Sequence, residues 1–339
     1  MHFQERSRLQ FQTDMEEQSQ QNNLRTLFGV QKIPSTNAMK EILDNQNSVQ
    51  FKPIFKGIVQ RLQRSKQLSQ FNLFPGFSIC SIDGSQYHSS ECVGCPKCLT
   101  KKHGETITYQ HHVLQAALMH PDLKQVIPIM AEPIQNESGE YKKQDCETNA
   151  AKRLLPQLRK DYPKMGLIIT GDDLFSRQPM IEAVLKENFH YFFLAKPSSH
   201  SHMMNWLETQ DLHEIREIDD KGQIIIHQFK NDVPLFGNKD AIQVNYFCKK
   251  TITTDKDGTE HCRTESWVTD MTINRENVAL FVLGAKTRWK IENECFNTLK
   301  NQGYEVAHNY GHGKDHLSLN FYLLTLLAFT LHQTAGLLR

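Results

Sequence analysis

Three acidic residues of this chain stand where carboxylates could share divalent metal ions. Asp83 follows the short apolar run at residues 78–82, and Asp172 follows a second such run at residues 166–171. Runs of this kind are typical of β-strands, so each would carry its aspartate to a strand end. Glu292 comes much later, in a segment with helical character. Two Mg²⁺ or Mn²⁺ ions about 3.5–4 Å apart activate an attacking oxygen and stabilise a leaving one. The pattern therefore predicts phosphodiester chemistry, with Asp83 bridging both ions and the other two acids completing one site each.

Several neighbouring acids compete for these roles. Asp173 adjoins Asp172 but points to the opposite side of the strand, so only one of the two can face the metals. Glu294 lies two residues beyond the predicted glutamate ligand, on a different helical face. Asp145 and Glu147 stand at a predicted helix start, where the helix dipole stabilises acids. Capping therefore accounts for that last pair.

A cysteine-rich stretch has the spacing of metal ligands. Cys95 and Cys98 are separated by two residues, as in a zinc knuckle. Cys92 or His88, together with a second histidine, could complete a tetrahedral zinc site; the candidates for that histidine are His103, His111 and His112. The predicted zinc set is Cys92, Cys95, Cys98 and His103. Structural zinc and free thiols both remain open interpretations.

Basic side chains on two predicted helices are candidates for DNA contacts. Arg288, Lys290 and Lys300 share the helix of the glutamate ligand, and Arg61 and Arg64 lie on the basic face of a helix near residues 54–62. Such residues hold the phosphate backbone by charge, although a plain solvated surface explains basic faces as well. The net charge of +1 adds nothing, because nucleic-acid binders usually show a basic excess.

The composition is that of a soluble globular protein. Of the 339 residues, 39% are hydrophobic and 23% are charged, and the first residues lack an apolar signal-peptide core. A reducing cytoplasm is therefore expected in spite of the eight cysteines. The longest apolar run, residues 317–329, is too short and too polar to span a bilayer, so no membrane partner is expected.

The order of predicted elements is β-β-β-α-β-α-β. It rests on strands at residues 77–82, 106–119, 125–130, 167–170 and 190–195, and on helices at residues 146–161 and 179–188. This order predicts an α/β fold with a ribonuclease-H-like mixed sheet and helices on both faces. The first and fourth strands of that fold lie side by side, which would bring Asp83 and Asp172 together. Asp145 is predicted to cap the first helix.

Four regions follow from these patterns. Residues 1–70 form an N-terminal leader and a helical DNA-contacting region, and residues 71–197 form the first part of the catalytic domain. Residues 198–273 form an inserted antiparallel β-subdomain, with a hairpin turn at Asp257-Gly258. Residues 274–339 hold the closing helices and one long helix, from about residue 276 to residue 301, that carries Glu292.

The combined motifs resemble DDE transposases of bacterial insertion sequences. The resemblance covers about residues 24–335 and rests on blocks at residues 82–85, 145–153, 171–174, 289–293 and 303–313. It implies Mg²⁺-dependent strand cleavage and transfer at the inverted terminal repeats of an insertion sequence, with Asp83, Asp172 and Glu292 as the catalytic triad. It also implies double-stranded DNA as partner (the repeats and the target), a homodimer on DNA, and a place in the bacterial cytoplasm at the nucleoid.

One position departs from the family pattern. Many relatives with a β-strand insertion place an arginine four residues before the glutamate and a lysine seven residues after it. Arg288 fits, but Leu299 occupies the later position and the lysine is Lys300. A catalytically inactive transposase-derived DNA-binding protein and a nuclease of the same fold are the alternative functions.

Overall fold

The chain folds into a mixed α/β structure around a large, mostly antiparallel sheet. The computed structural model describes residues 25–26, 29–136, 143–220, 222–238, 240–255 and 257–338. The strands are β1 Asn72–Phe74, β2 Phe77–Ser90, β3 Leu99–His103, β4 Thr106–Met119, β5 Ile127–Ile134, β6 Gly166–Gly171, β7 His190–Leu194, β8 His213–Ile218, β9 Ile224–Pro234, β10 Gln243–Thr254 and β11 Glu260–Thr269. The α-helices are α1 Thr36–Asn45, α2 Lys52–Arg64, α3 Glu147–Asp161, α4 Gln178–Lys186, α5 Ser201–Glu208, α6 Val278–Lys286, α7 Asn297–Asn301 and α8 Leu317–Leu337. Short 3₁₀ turns occupy Ser48–Phe51, Gln67–Phe71 and Pro197–Ser199, and a π-helical segment covers Ile291–Phe296.

Strand β2 lies at the centre of the structure. The strand order is β3-β4-β2-β6-β7-β11-β10-β9-β8, and β5 pairs with β4. The pairs β2–β6 and β6–β7 are parallel, whereas β2 and β4 are antiparallel. The prediction that the Asp83 strand adjoins the Asp172 strand is thus confirmed. The last parallel pair, Ser81 with Thr170, lies just before both aspartates.

Helices cover both faces of the central strands, which explains why β6 and the first part of β2 are largely apolar. On one face, Cys80 and Ile82 of β2 pack with buried leucines of α3 and with α4. On the other face, Ile79 and Ile168 pack with Phe281 of α6. Alternate residues of one strand thereby enter two separate cores, as the two-residue period of a strand requires.

Strand β2 is longer than the sequence pattern predicts. The prediction ended it at residue 82, because the residues from Gly84 to Ser90 are polar or small. In the structure the ladder with β4 continues to Ser90, with a bulge between Gln86 and His88. Asp83 therefore lies inside a strand, opposite Gln115, and not at a strand end. Pairing with a long neighbour has overridden the local composition.

Two helix predictions need correction. Helix α3 begins at Glu147 after Cys146, so Asp145 is not its cap. Asp145 instead accepts a hydrogen bond from the backbone N–H of Gln135 and pairs with Arg153 at 2.8 Å. The single long helix predicted between residues 276 and 301 is also wrong, because α6 ends at Lys286 and a π-helical segment precedes α7.

The β-rich insertion extends the main sheet. Strand β11 pairs with β7 through Trp267–Leu194 and Val268–Phe193, and β10, β9 and β8 follow outward. The predicted hairpin turn joins β10 to β11, where Gly258 adopts a φ of 88°. A helix that the pattern did not predict, α5, precedes these strands.

The basic helix predicted near residues 54–62 is α2, which buries Phe55, Val59 and Leu62. Ser35 caps the preceding helix, α1, by accepting the N–H of Ala38. The predicted leader falls largely on residues 1–24 and 27–28, which lie outside the described residues. In the described part of the chain, no helix is long and apolar enough to cross a membrane.

Candidate metal-dependent active site

Asp83 occupies the point where β2 leaves β6. Its Oδ1 accepts the N–H of Gly84 at 2.9 Å, and its Oδ2 lies 3.5 Å from Nη1 of Arg288. Burial raises the pKa of Asp83 to about 6; Arg288 opposes this shift, whereas Glu292 and Asp172 add to it. Burial and the neighbouring acids both make the ionised form of Asp83 unfavourable, and a bound cation would stabilise that form.

Asp172 follows the carboxyl end of β6 and faces the same region. Its Oδ1 accepts the N–H of Leu174 at 2.9 Å, and burial raises its pKa. The next residue points elsewhere: Asp173 accepts the N–H of Lys196 at 2.7 Å and lies 3.7 Å from His200. The structure thus assigns the two adjacent aspartates to opposite sides, as the strand period predicts.

Arg288 joins Glu292 to Asp83. Its Nη1 lies 2.7 Å from Oε1 of Glu292, one helical turn later, and 3.5 Å from Asp83. The Glu292 side chain is 52% exposed, so it can still turn toward a ligand. Through Arg288, Glu292 is connected to Asp83 on β2, although the β-rich insertion separates the two acids in sequence. Arg288, predicted to contact DNA, lies beside the acids themselves.

Glu147 is a fourth acid at this site, and the sequence interpretation assigned it only to capping. Burial, together with repulsion from Asp83 and Asp172, raises the pKa of Glu147 to about 7. Its carboxylate lies against Gly84, where any Cβ would overlap it. One signal could have found it: a crossover helix runs antiparallel to the next strand, so the start of α3 meets the carboxyl end of β6.

A π-helical segment sets the directions of Leu299 and Lys300. An extra residue in a π-turn advances the helical phase by one position, so the eighth residue after Glu292 takes the direction of the seventh in a regular helix. Accordingly Leu299 is fully buried in the core, and Lys300 is half-buried. Burial lowers the pKa of Lys300, and the nearby Asp83 carboxylate raises it. Lys300 therefore lies within electrostatic range of Asp83.

The structure does not bring the other predicted cations to the acids. Lys290 is buried, and its Nζ donates to the carbonyls of His120 at 3.0 Å and Pro121 at 3.1 Å, so its prediction as a DNA contact is wrong. Arg61 and Arg64 are exposed near the end of α2. The residues just after them border the start of β6, at the opposite end of the sheet from Asp172.

A cleft of about 470 Å³ opens between the insertion and the Arg288 segment. Its lining includes the half-exposed Trp289 and four cations, Lys196, Arg263, Lys286 and Arg288. Arg263 and Lys286 both pair with Glu265, which also lines the cleft. Trp267 is 4% exposed and stacks on Phe247 at 5.5 Å between centroids, so it belongs to the core. Phosphates attracted to these cations would lie next to the acids.

The cysteine stretch forms a second cluster with a different membership from the predicted one. Cys95 and Cys98 approach His111 of β4 and His312 of the loop before α8. Cys92 is exposed and His103 is exposed on β3, and neither belongs to the cluster. Of the predicted zinc set, Cys95 and Cys98 belong to this cluster, whereas Cys92 and His103 do not. His111, one of the candidate histidines, does belong to it.

Comparison with known proteins adds no family. No protein-family model and no curated protein matches the sequence. Among solved structures, the crystal structure of the NurA nuclease from Sulfolobus solfataricus aligns with 85% of this chain and 98% of its own chain, with a TM-score of 0.27 and 9% identity. A similarity at that level carries no argument about fold or activity, so any function must be argued from the geometry of the site.

Proposed function

We propose that this protein is a metal-dependent DNA transposase of the DDE type, with a ribonuclease-H-like catalytic core. The observation that carries the proposal is the convergence of Asp83, Asp172 and Glu292 beside Arg288. Repulsion between acids contributes to the raised pKa of Asp83. The strand order β5-β4-β2-β6-β7, with three antiparallel strands followed by two parallel ones, supports the proposed core.

The donor set fits Mg²⁺ or Mn²⁺. These ions prefer carboxylate oxygens and keep several waters, and this cluster offers carboxylates without sulfur or imidazole. Asp83, Asp172 and Glu292 would hold two ions, and Glu147 is close enough to add an oxygen. Bound ions would polarise the scissile phosphate, activate the attacking oxygen and stabilise the leaving oxygen.

The chain's own side chains prepare and orient the site. Arg288 holds the Glu292 carboxylate and counters the charge of Asp83 until DNA arrives. Lys300 lies within electrostatic range of Asp83. Lys196 adds positive charge to the cleft, where Arg263 and Lys286 pair with Glu265. These cations would bind the phosphates of double-stranded DNA, both terminal repeat and target, in a homodimer that forms on DNA at the bacterial nucleoid.

Cleavage of the element's own ends tests the proposal. The substrate is duplex DNA carrying the inverted repeats that flank the gene, incubated with Mg²⁺ or Mn²⁺. The parent is expected to cut at the repeat ends, and Asp83→Asn, Asp172→Asn and Glu292→Gln are each expected to cut at least about 10²-fold more slowly. Glu294→Gln is the matched control, because Glu294 is a glutamate of the same segment that lies near Lys290.

Other outcomes separate the alternatives. Triad variants that cut as fast as the parent would remove the assignment. Cutting without preference for the repeats would identify a nuclease of the same fold, which the four-acid cluster also supports. Repeat-specific binding without cutting in either metal would identify a non-catalytic DNA-binding protein.

A further inference from the structure

We propose that Cys95, Cys98, His111 and His312 bind one structural zinc ion. The site is separate from the carboxylate cluster and does not depend on the proposed function. Their four donor atoms all lie within 4.8 Å of one another. Two cysteines and two histidines form one of the common closed zinc sites.

The distances between the donors match the edges of a zinc tetrahedron. Bonds of about 2.3 Å to sulfur and 2.0–2.1 Å to nitrogen give edges of about 3.8 Å between sulfurs, 3.6 Å from sulfur to nitrogen and 3.3 Å between nitrogens. The observed values are 3.7 Å between the two Sγ atoms and 3.4 Å from Cys98 to each histidine Nε2. Cys95 lies 3.8 Å from His111, and the two Nε2 atoms are 2.9 Å apart.

Surrounding hydrogen bonds orient the donors. The Nδ1 of His312 donates to the carbonyl of Gly313 at 2.8 Å, so its Nε2 keeps a free lone pair toward the sulfurs. The backbone N–H of Cys95 points at Sγ of Cys98 at 3.4 Å, and buried Asn136 donates to the Cys98 carbonyl at 2.7 Å. Fixed ring orientation and N–H donors to sulfur are the outer contacts of a metal site.

A plain thiol pair is the competing interpretation, and the histidines argue against it. The sulfurs are too far apart for a disulfide bond. A redox pair would not require two imidazole nitrogens at ligand distance from the same sulfur. His111 and Cys98 are buried, so an ion bound here would be shielded from water.

The cluster joins parts of the chain that are far apart in sequence. Cys95 and Cys98 lie in the loop between β2 and β3, and His111 lies on β4, 201 residues before His312. His312 belongs to the loop that follows the segment carrying Glu292 and Lys300. A zinc ion would therefore tie that segment to the hairpin that carries Asp83, and closing so long a loop restricts the unfolded chain strongly.

Zinc content of the full, untagged chain tests the proposal. We expect one zinc per chain by elemental mass spectrometry, retained in the Asp83→Asn variant, so the result does not depend on DNA cleavage. Cys98→Ser and His312→Gln should each lower zinc affinity at least about tenfold. Cys92→Ser and His103→Gln are matched controls and should keep the parent's zinc content.

Cobalt substitution guards against variants that fail to fold. The parent chain, stripped of metal under reducing conditions and reloaded with Co²⁺, should show the visible absorption of tetrahedral sulfur–nitrogen coordination. A parent chain that takes up neither zinc nor tetrahedral Co²⁺ would overturn the proposal. A Cys95–Cys98 disulfide in the freshly isolated parent, found by peptide mass and lost on reduction, would also overturn it.

Discussion

At the scale of single residues, the candidate active site is a set of carboxylates that the fold holds together against their mutual repulsion. Burial raises the pKa of Asp83 to about 6 and of Glu147 to about 7, and the other acids add to both shifts. Arg288 is the cation hydrogen-bonded to Asp83 and Glu292 among the described residues. Such a set is more stable with cations bound than without them.

Removal of Glu147 tests whether the fourth acid belongs to the metal site. Glu147→Gln keeps the shape of the side chain and removes the charge, so Mn²⁺ affinity should fall at least about tenfold, with slower cleavage. Isothermal titration with Mn²⁺ measures the affinity directly. If the Mn²⁺ affinity is unchanged, Glu147 is not a metal ligand and acts only at the start of α3. Glu294→Gln is the control.

The raised pKa values also predict how stability depends on pH. The usual pKa is 3.8 for Asp83 and 4.5 for Glu147, and the folded values are about 6 and about 7. The metal-free folded chain therefore binds extra protons between about pH 4 and pH 7, so its stability falls as pH rises through that window. Stabilisation by Mn²⁺ should show the opposite trend, because ions need ionised carboxylates.

Thermal melting at about pH 5 and about pH 8, with and without Mn²⁺, measures both trends. In Asp83→Asn the metal-free loss between the two pH values should be smaller than in the parent. The same loss in the parent and in this variant would show that Asp83 does not carry the shift.

At the scale of elements, the π-helical segment sets which residue after Glu292 is buried in the core. Its extra residue places Leu299 in the core and leaves Lys300 half-buried, within electrostatic range of Asp83. A regular helix would exchange these two directions. A turn at residues 287–288 separates this segment from α6. Arg288, in that turn, contacts both Asp83 and Glu292.

Adjacent substitutions separate the two roles. Lys300→Ala should leave the free energy of unfolding nearly unchanged and reduce the salt slope of DNA binding by about one. Leu299→Ala should lower the free energy of unfolding by about 2–5 kcal/mol, because it empties a buried site. Urea denaturation and DNA titrations over a salt series measure these effects. Lys102→Ala on exposed β3 is the charge-matched control, and an equal salt slope in Lys300→Ala and the parent would contradict the assignment.

At the scale of the whole molecule, helix α1 near one end of the described chain is hydrogen-bonded to the start of helix α8 near the other end. Helix α8 begins after His316 without a capping side chain of its own. The carboxylate of Asp44 in α1 accepts hydrogen bonds from four successive backbone N–H groups, those of residues 314–317. The distances are 2.7 Å from Lys314 and 2.9 Å from Leu317. A Cβ at Gly313 would collide with Asp44, and the φ of 71° there also favours glycine.

Loss of this contact should weaken the whole molecule. Asp44→Ala leaves the start of α8 without its acceptor and should cost about 1–2 kcal/mol of stability. Burial alone would raise the pKa of Asp44, but the four N–H groups lower it to about 2. The contribution is therefore complete above about pH 4 and is lost as pH falls toward 2. Urea denaturation at neutral pH measures the loss; Glu41→Ala on exposed α1 is the control, and equal losses would contradict the role of Asp44.

Local pattern was sufficient for the parts of the site that lie on strands. Short apolar runs before an aspartate predicted β6 and the first part of β2, and their order predicted that the two strands adjoin. The two-residue period separated Asp172 from Asp173. These inferences succeed because a buried strand shows its period within a few residues. The pairing of Cys95 with Cys98 was recognisable for a different reason, because both residues lie in one short loop at the spacing of metal ligands.

The tertiary structure alone decided which distant residues join these local features. From the sequence alone, Glu147 is only an acid at a helix start; the packing of α3 beside β2 brings it to the other acids. His312 is likewise only a loop residue in the sequence, and the fold brings that loop to His111. Lys300 needs the π-helical segment, whose extra residue no periodicity of the sequence reveals. In each case the neighbours of the residue come from elements that lie tens to hundreds of residues away in sequence. The local spacing of residue types does not show which of these distant elements will pack together.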